Sequence, residues 1–531
     1  TVGGALTITS GTLDLNGNDV DLKGDLTESG TLVDNALPGG TVTFDGSGTQ
    51  NVTGTPTFTD VKLNTTVDFG SSPTVEGDLI IDGNGSVATS APNYGNLAKL
   101  IYQTGEVTDR GLEWSSTNGP GHPNDVRIRF GTTLDLSAGD ATTARSIGNE
   151  LKIDAGSTLD MDDMSAPLTL GDRSIINGTL TLGSAPGGDL IVSGDLDDKI
   201  TTGLFVDGTL NTNGRTVTLN GSDEQDILGT SALTFGDLTI DNANGVTLST
   251  QATVSKVLTL TSGTFDVTGG SLTLTSTASR TAAVAGSGSG TVSGDVTMER
   301  HVGFPDDGFN NSHWRFLSSP LSVMLDDAGT EGNSDNLLSN VWTQSTGSGA
   351  KTQVSAGNAT IFTYAEDTNI DFNLSEGWSD VANLNDSPIM PGDGHLVYLF
   401  ENNGPAGPDG FPVTLSVTGS LPANETDGTD AAPALTFTDD DDPDSENGWN
   451  LVANPFAAPL DWERVVDNGL EQLDKTIYVW DPEVGQFATY TTDGGGTGGA
   501  GTQDQYIAPF QAFFVKAEPL SIKPPDPPDK S

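Results

Sequence analysis

The first half of the chain alternates apolar and polar residues. Leu6–Thr9 (LTIT) and Leu258–Thr261 (LTLT) are typical segments. A period of two places Leu, Ile, Val and Phe on one face of a strand and Thr, Ser and Asp on the other. β-branched Thr suits such a surface, and the Gly, Asn and Asp residues between the segments favour turns. The pattern therefore predicts many short strands joined by tight turns.

These strands recur in two kinds of repeat. Thr41–Asn64 (TVTFDGSGTQNVTGTPTFTDVKLN) matches Thr216–Asp241 (TVTLNGSDEQDILGTSALTFGDLTID), and Ala5–Leu26 matches Val257–Ser276. One such unit cannot bury its apolar face alone, whereas stacked units can, at about 4.8 Å per layer. The repeats predict a β-solenoid rod, similar to a parallel β-helix, over residues 1–296. A row of separate β-sandwiches is the alternative, which the short units and the lack of linkers disfavour.

One stretch, residues 93–129, departs from the repeat. It contains Trp114, Tyr102, His122 and several basic residues. We predict an excursion from the rod here. Such an excursion can present a binding surface on a rigid scaffold. The alternative is a hairpin that covers one side of the core.

The second half of the chain contains a duplication of three blocks in the same order. Because the blocks alternate apolar and polar residues, they predict two related β-sandwich-like modules at 297–403 and 404–519, followed by a Pro-rich tail at 520–531. The blocks of the first copy are Trp314–Leu321 (WRFLSSPL), Ile361–Asp367 (IFTYAED) and Ile389–Phe400 (IMPGDGHLVYLF). Those of the second copy are Trp449–Phe456 (WNLVANPF), Ile477–Glu483 (IYVWDPE) and Ile507–Glu518 (IAPFQAFFVKAE).

Composition and charge narrow the possible functions. The 531 residues include 73 acidic and 21 basic ones, for a formal net charge of −52. Nucleic acid is excluded as an expected partner because binding phosphates requires a basic face. The charge is typical either of a saline or calcium-containing exterior or simply of an acidic secreted protein. Cysteine is absent, and no apolar run approaches the roughly 18 residues of a membrane helix.

Calcium is the one cofactor that the sequence suggests. The segment Asp439–Gly448 (DDDDPDSENG) concentrates carboxylates, and hard oxygen ligands at this density can coordinate Ca²⁺. The alternative is an exposed acidic loop, because the spacing does not match an EF-hand. The candidate ligands are Asp439, Asp440, Asp441, Asp442, Asp444 and Glu446.

No arrangement of residues predicts catalysis. Asp160, Asp162 and Asp163 could serve acid–base chemistry, but such a run is more typical of a solvated turn. The remaining candidates lack a ligand spacing or a Ser-His-Asp pattern, so we expect a protein that is not an enzyme. We interpret the following as structural residues, with carbohydrate stacking as the alternative for the two tryptophans: His122, His301, His313, Trp314 and Trp449.

The repeats and the paired blocks resemble those of large secreted and surface proteins of the Bacteroidota. The WRFLSSPL and WNLVANPF blocks are similar to the region that precedes the sorting domain of type IX secretion cargo. The resemblance implies a cell-surface or released protein, but no particular ligand. The sorting domain itself is missing after Ala517, which would fit removal during export or truncation.

Two functions from different classes follow. The first is an extracellular structural or adhesive surface protein, in which unpaired strand edges could join copies head to tail into a fibre. The second is a secreted protein that binds or degrades carbohydrate, using the region around Trp114 or the face of the solenoid. The expected partners are further copies of the chain or surface glycans.

Overall fold

The chain folds almost entirely into β-structure. In the computed structural model, 49% of residues are in strands and 3% in helices, and a solenoid of about 13 turns covers residues 6–298, which confirms the predicted fold class. The protein divides into a first compact unit, Thr1–Leu272 with Gly286–Ser293, and a second, Thr273–Ala285 with Gly294–Ser531. The structure describes residues 1–36, 38–194, 202–286, 288–303, 313–326, 336–354, 358–366, 377–400, 412–421, 435–438, 447–467, 473–492, 494–497 and 503–518.

A single long parallel sheet runs through the first unit. Each coil of the solenoid adds one strand, so neighbours in this sheet lie one coil apart in sequence. Its 13 described strands are Val20–Leu22, Thr41–Phe44, Asp60–Leu63, Asp78–Ile81, Lys99–Tyr102, Asp125–Ile128, Glu150–Ile153, Arg173–Ile176, Thr202–Val206, Gln225–Gly229, Val246–Leu248, Thr264–Asp266 and Thr291–Ser293.

Shorter parallel stacks form the other faces of the solenoid. One stack contains Leu6–Ile8, Leu26–Glu28, Gln50–Thr53, Thr66–Asp68 and Ser86–Ala88. Further along the chain, a second contains Val107–Asp109, Thr133–Asp135, Thr158–Asp160, Thr179–Thr181 and Thr209–Asn211. A third contains Arg145–Ile147, Leu168–Leu170, Leu190–Val192, Thr216–Leu219, Asp237–Asp241 and Val257–Ser262. Smaller groups are Thr57–Phe58 with Thr74–Val75 and Asn93–Tyr94, Thr12–Asp14 with Thr31–Val33, and Leu233–Phe235 with Gln251–Val254.

Aliphatic side chains in register from coil to coil build the solenoid core. The alternation seen in the sequence turns every second side chain inward, where it stacks on the equivalent residue of the next coil. Each fully buried side chain of this kind contributes about 1.5–3 kcal/mol. Six consecutive layers, none more than 3% exposed, are Val42, Val61, Leu79, Leu100, Val126 and Leu151.

A buried glutamine fixes the turn in each of the two long repeats. Gln50 and Gln225 occupy equivalent positions in the repeats and are 3% and 0% exposed. In both, Oε1 accepts a hydrogen bond from a glycine N–H four residues earlier, and Nε2 donates to a carbonyl of an earlier strand. The partners are Gly46 at 2.7 Å and Leu22 at 3.1 Å for Gln50, and Gly221 and Val192, both at 2.9 Å, for Gln225.

The interruption predicted over 93–129 is shorter than expected. Lys99–Tyr102 and Asp125–Ile128 are consecutive strands of the long sheet and pair in register. The irregular part is confined to residues 103–124, which hold one short strand and the 3₁₀ turn Leu112–Trp114. Of the large residues in this stretch, Tyr102 and Trp114 are 0% exposed and lie inside the coil, whereas Leu97 and Val107 are 83% and 77% exposed.

The second unit contains two antiparallel sheets with the same strand order. In each sheet the strand that comes first along the chain pairs with the last of the listed core strands, that strand pairs with the second, and the second pairs with the third. The first sheet has the order His313–Leu317, His395–Leu399, Ile361–Tyr364 and Trp378–Asp380. The second has the order Trp449–Ala453, Ala512–Lys516, Thr476–Asp481, Gln486–Thr491 and Gly495–Thr497.

Shorter elements complete the described region of the second unit. Asp295–Val302 pairs antiparallel with Val413–Ser420 over eight residues. The helical segments are the α-helix Trp462–Asp467 and the 3₁₀ turn Leu384–Asp386. Further short strands are Ser276–Thr277 with Arg280–Thr281, Val323–Met324 with Pro388–Ile389, Gln344–Ser345 with Thr352–Gln353, and Leu460–Asp461 with Tyr506–Ile507. The chain also forms the strands Ser271–Leu274 and Ala283–Gly286.

Aromatic side chains join the two sheets of the second unit. Phe514, 3% exposed, lies at the centre of the cluster and contacts rings from both modules. Its ring centroid is 5.5 Å from that of Phe316, 5.0 Å from Tyr364 and 6.0 Å from Phe487. Edge-to-face contacts of this kind add about 0.5–1.5 kcal/mol each to the free energy of burial. The two sheets therefore share one core.

Candidate functional site

The predicted calcium segment lies outside the described residues. All six candidate ligands, Asp439 to Asp442, Asp444 and Glu446, belong to it. Within the residues that the structure describes, no group of three or more His, Asp or Glu side chains could hold a metal ion. Calcium binding by this segment stays a prediction.

Trp114, the centre of the predicted binding excursion, is a core residue. Its side chain is 0% exposed, and its indole Nε1 donates a hydrogen bond of 3.0 Å to the Ser146 carbonyl. A fully buried ring has no face on which a sugar could stack. The excursion therefore offers no aromatic platform at this residue.

A buried carboxylate and an arginine support Trp114. Glu113 is 0% exposed and accepts hydrogen bonds from the Tyr102 hydroxyl at 2.9 Å and the Val87 N–H at 3.1 Å. Burial raises the pKa of Glu113 above its usual range. Arg110 donates to main-chain carbonyls, including that of Leu136 at 3.0 Å. The polar residues of this region thus satisfy one another inside the coil.

The other tryptophans singled out in the sequence pack against neighbouring rings. Trp449 is 9% exposed, and its ring lies 4.8 Å from Tyr478. Trp314 is half-buried, with its ring 5.0 Å from Tyr398. Both tryptophans therefore serve the packing of the sheets in which they lie.

The acidic run and the histidines are not assembled into one site. Asp160 Oδ1 accepts the Asp162 N–H at 3.0 Å, which closes a turn, and Asp163 is exposed. His122 is half-buried in the first unit, where burial lowers its pKa. His301 and His313 lie on separate strands of the second unit.

A cavity in the second unit gathers basic residues. It has a volume of about 320 Å³ and is lined by Arg280, Arg300 and His301, together with the hydroxyl-bearing Thr277 and Ser279. None of its lining residues, all of them described by the structure, is Asp or Glu. We call this space the basic cavity. A lining without carboxylates is unusual in a chain with 73 acidic and 21 basic residues.

Two neighbouring elements place the basic residues. Arg300 and His301 are consecutive in the strand Asp295–Val302. The turn between Thr277 and Arg280 lies next to that strand and supplies Thr277, Ser279 and Arg280. The lining also includes Pro459, Ala508 and Pro509. Because the two elements are held by sheet hydrogen bonds, the cavity is built on a regular framework.

Arg300 occupies an inward position of its strand. Along this strand Val296, Met298 and Val302 are buried at alternate positions, and Arg300 continues that face. Burial lowers the pKa of its guanidinium. Among the described residues, its one side-chain hydrogen bond is Nη1 to Thr281 Oγ1, at 3.1 Å.

A second cavity adjoins the first and has aromatic walls. It has a volume of about 290 Å³, shares Arg300 and His301 with the basic cavity, and is lined by Phe316, Trp480 and Phe510. We call it the aromatic cavity, and the two together the arginine cleft.

Two further features distinguish the aromatic cavity. Phe510 has a φ of 66°, a left-handed backbone conformation that costs a non-glycine residue about 1–3 kcal/mol. Arg315 also lines this cavity. Burial lowers the pKa of Arg315 to about 10, against the opposing effect of the Asp481 and Glu483 carboxylates.

A larger cavity of about 670 Å³ lies elsewhere in the second unit. His395, 5% exposed, lines it together with Glu366 and Asp393. Burial lowers the pKa of His395 to about 4, so the ring is neutral near pH 7. The Glu366 carboxylate is already engaged by Thr438 and by the Gly448 N–H. This cavity is bounded by groups that stabilise the fold.

Comparison with known proteins yields no match: neither a family model, nor a curated protein, nor a solved structure is similar to this chain. Among the described residues, no helix is both long and apolar enough to span a membrane. Any function of the candidate site must therefore be inferred from the geometry of the site itself.

Sequence reasoning missed the arginine cleft. The sequence pattern marks none of Arg280, Arg300 and Arg315, and it predicts a structural role for His301. The available signal was the alternation of the strand Asp295–Val302, which places an arginine where the pattern calls for an apolar residue. The partner residues come from distant segments, so the sequence could not show that they meet.

Proposed function

We propose that this chain is an extracellular structural or adhesive surface protein that does not act by catalysis. The observation that carries the proposal is the stack of 13 parallel strands in the first unit. At about 4.8 Å per strand, such a stack forms a scaffold about 60 Å long. A scaffold of this kind suits a spacer or a support for a binding surface.

The interactions that stabilise the solenoid are compatible with a location outside the cell. The chain has no cysteine, so its fold depends on no disulfide or free thiol. Burial of aliphatic layers and main-chain ladders hold the coils together. The net charge of −52 favours solubility, and abundant salt screens the electrostatic repulsion that this charge causes.

Immunolabelling of the cells that produce the protein tests its location. Antibodies against the solenoid are applied to intact and to permeabilised cells, and the growth medium is assayed in parallel. We expect label on intact cells or protein in the medium. Label that requires permeabilisation would overturn the proposal.

Negative-stain electron microscopy tests head-to-tail assembly. The purified chain is imaged in saline buffer with Ca²⁺ and with EGTA. Ordered filaments would support a self-assembling fibre subunit. Isolated particles under both conditions would count against assembly and favour an adhesin.

Carbohydrate binding is the second candidate function. The arginine cleft favours it, because it combines the half-buried ring of Trp480 with guanidinium donors. A glycan array and a reducing-sugar assay separate binding from degradation. Retention of glycans without release of reducing ends supports a binding protein, whereas turnover would show an enzyme.

A further inference from the structure

The charge of the basic cavity differs from that of the rest of the chain. The sequence has 73 acidic and 21 basic residues, yet Arg280, Arg300 and His301 all line one cavity that has no lining carboxylate. Electrostatic repulsion from distant acidic residues is screened beyond about 8 Å at physiological salt. An anion in this cavity meets the Arg280 and Arg300 side chains, and the Glu299 carboxylate, which accepts the Ser276 N–H at 3.1 Å, lies beside the lining and is not part of it.

Arg300 has donors available for such an anion. A guanidinium carries five N–H donors, and among the described residues a single nitrogen of Arg300 is bonded, to Thr281 Oγ1. A charged group held partly away from water gains from a bound counter-ion, and charge-assisted hydrogen bonds are the stronger kind. The Thr277 and Ser279 hydroxyls in the same lining can add neutral donors.

The aromatic cavity suggests what carries the anion. It shares Arg300 and His301 with the basic cavity, so one ligand can occupy both spaces. Its lining includes the half-buried ring of Trp480, which can present apolar surface to the C–H face of a sugar ring, whereas Phe316 and Phe510 are 8% and 1% exposed and belong to the core. The exposed Glu483 carboxylate in its lining can accept hydrogen bonds from hydroxyls. An oxyanion attached to a hydroxylated ring matches this combination.

We infer that the arginine cleft binds an acidic sugar residue of a polysaccharide. The carboxylate or sulfate of the sugar pairs with Arg280 and Arg300, and its ring packs in the aromatic cavity. This inference rests on the proposed carbohydrate-binding function and names the class of its ligand. Binding is non-covalent and requires no co-reactant.

Isothermal titration calorimetry of the full chain tests the inference. The probes are a galacturonate tetrasaccharide, a sulfated tetrasaccharide and neutral maltotetraose, in 0.15 M NaCl with EDTA to prevent bridging by divalent cations. We expect one acidic probe to bind at least about tenfold more tightly than the neutral probe, and the better one identifies the oxyanion as carboxylate or sulfate. One lost charge-assisted hydrogen bond corresponds to about tenfold in affinity.

Substitutions locate the binding. Arg280→Gln changes an exposed side chain, so we expect an intact fold and about tenfold weaker binding of the acidic probe. Arg300→Gln should weaken binding at least as much. Arg464→Gln is the matched control, because the Arg464 side chain is 86% exposed and is not among the residues that line the cleft. We expect it to change the affinity by less than twofold.

Three results would overturn the inference: no binding of either acidic probe, equal binding of acidic and neutral probes, or equal weakening by Arg280→Gln and Arg464→Gln. Equal binding of all probes would leave carbohydrate binding in place and reject only the preference for acid. If Arg300→Gln fails to fold, the comparison of Arg280→Gln with Arg464→Gln decides whether the cleft binds the acidic probe.

Discussion

At the scale of single residues, buried polar side chains form hydrogen bonds with main-chain groups of the solenoid. The alternation of apolar and polar residues alone does not account for these side chains. Gln225, for example, is 0% exposed and joins the Gly221 N–H to the Val192 carbonyl. Its Oε1 also accepts a hydrogen bond of 3.0 Å from Asn242 Nδ2. One side chain thus satisfies polar groups from three places in the solenoid.

We predict that Gln225→Leu lowers the free energy of unfolding of the solenoid by about 3 kcal/mol. The substitution leaves buried donors and an acceptor without partners, each at a cost of about 1–3 kcal/mol. Urea denaturation followed by circular dichroism measures the change. The neighbouring exposed residue provides the control, since Glu224→Gln should stay within about 0.5 kcal/mol of the wild type. Equal stability of the two variants would contradict the assigned role of the glutamine.

His395 predicts a pH dependence of the second unit. Its folded-state pKa is about 4, below the usual 6.5, because burial disfavours the charged ring. The unfolded state therefore binds more protons, so stability is complete above pH 6.5 and is lost as the pH falls towards 4. The linked free energy is about 3 kcal/mol.

NMR titration of the imidazole signals tests this prediction. The chain has four histidines, so the signal of His395 can be assigned with a His395→Gln variant. Glu366, Asp386 and Asp393 line the same cavity, and a site-specific signal separates the histidine from them. A His395 signal that titrates near pH 6.5 would show that the ring is not buried as described.

At the scale of elements, the aromatic cluster couples the two sheets of the second unit. We predict that Phe514→Ala destabilises this unit by about 3–5 kcal/mol, because the buried ring contacts both sheets. Differential scanning calorimetry should show a lower transition temperature for the second unit and an unchanged one for the solenoid. Phe514→Leu should cost less, since it keeps most of the buried volume. An unchanged thermogram for Phe514→Ala would contradict a shared core.

Elements also show what the sequence could predict. Alternation and repeats predicted the parallel solenoid, because strand formation and stacking depend on patterns that are local or periodic. For the stretch from residue 93 to residue 129 the sequence left open an excursion from the rod or a hairpin over the core, because the burial of Tyr102 and Trp114 by neighbouring coils cannot be seen in one segment. The arginine cleft was not predicted because Arg280, Arg300 and Trp480 come together only through folding.

At the scale of the whole molecule, charge dominates the expected behaviour in solution. With a net charge of −52, the folded chain repels itself, and salt relieves this repulsion as the Debye length falls to roughly 3 Å near 1 M. We predict that the melting temperature rises as NaCl is increased from 0.05 M to 1 M. Sucrose at matched osmolality is the control for effects of the solute. A melting temperature that falls with salt would indicate that attractive ion pairs outweigh the repulsion.

The proposed adhesive function combines the solenoid scaffold with the proposed binding of acidic glycans by the arginine cleft of the second unit. The most direct test is the retention of protein-coated beads under flow on surfaces that carry acidic or neutral polysaccharide. We predict retention on the acidic surface, loss of retention for beads coated with Arg280→Gln, and no change for Arg464→Gln. Absence of retention on either surface, or equal retention of all three proteins, would contradict this account.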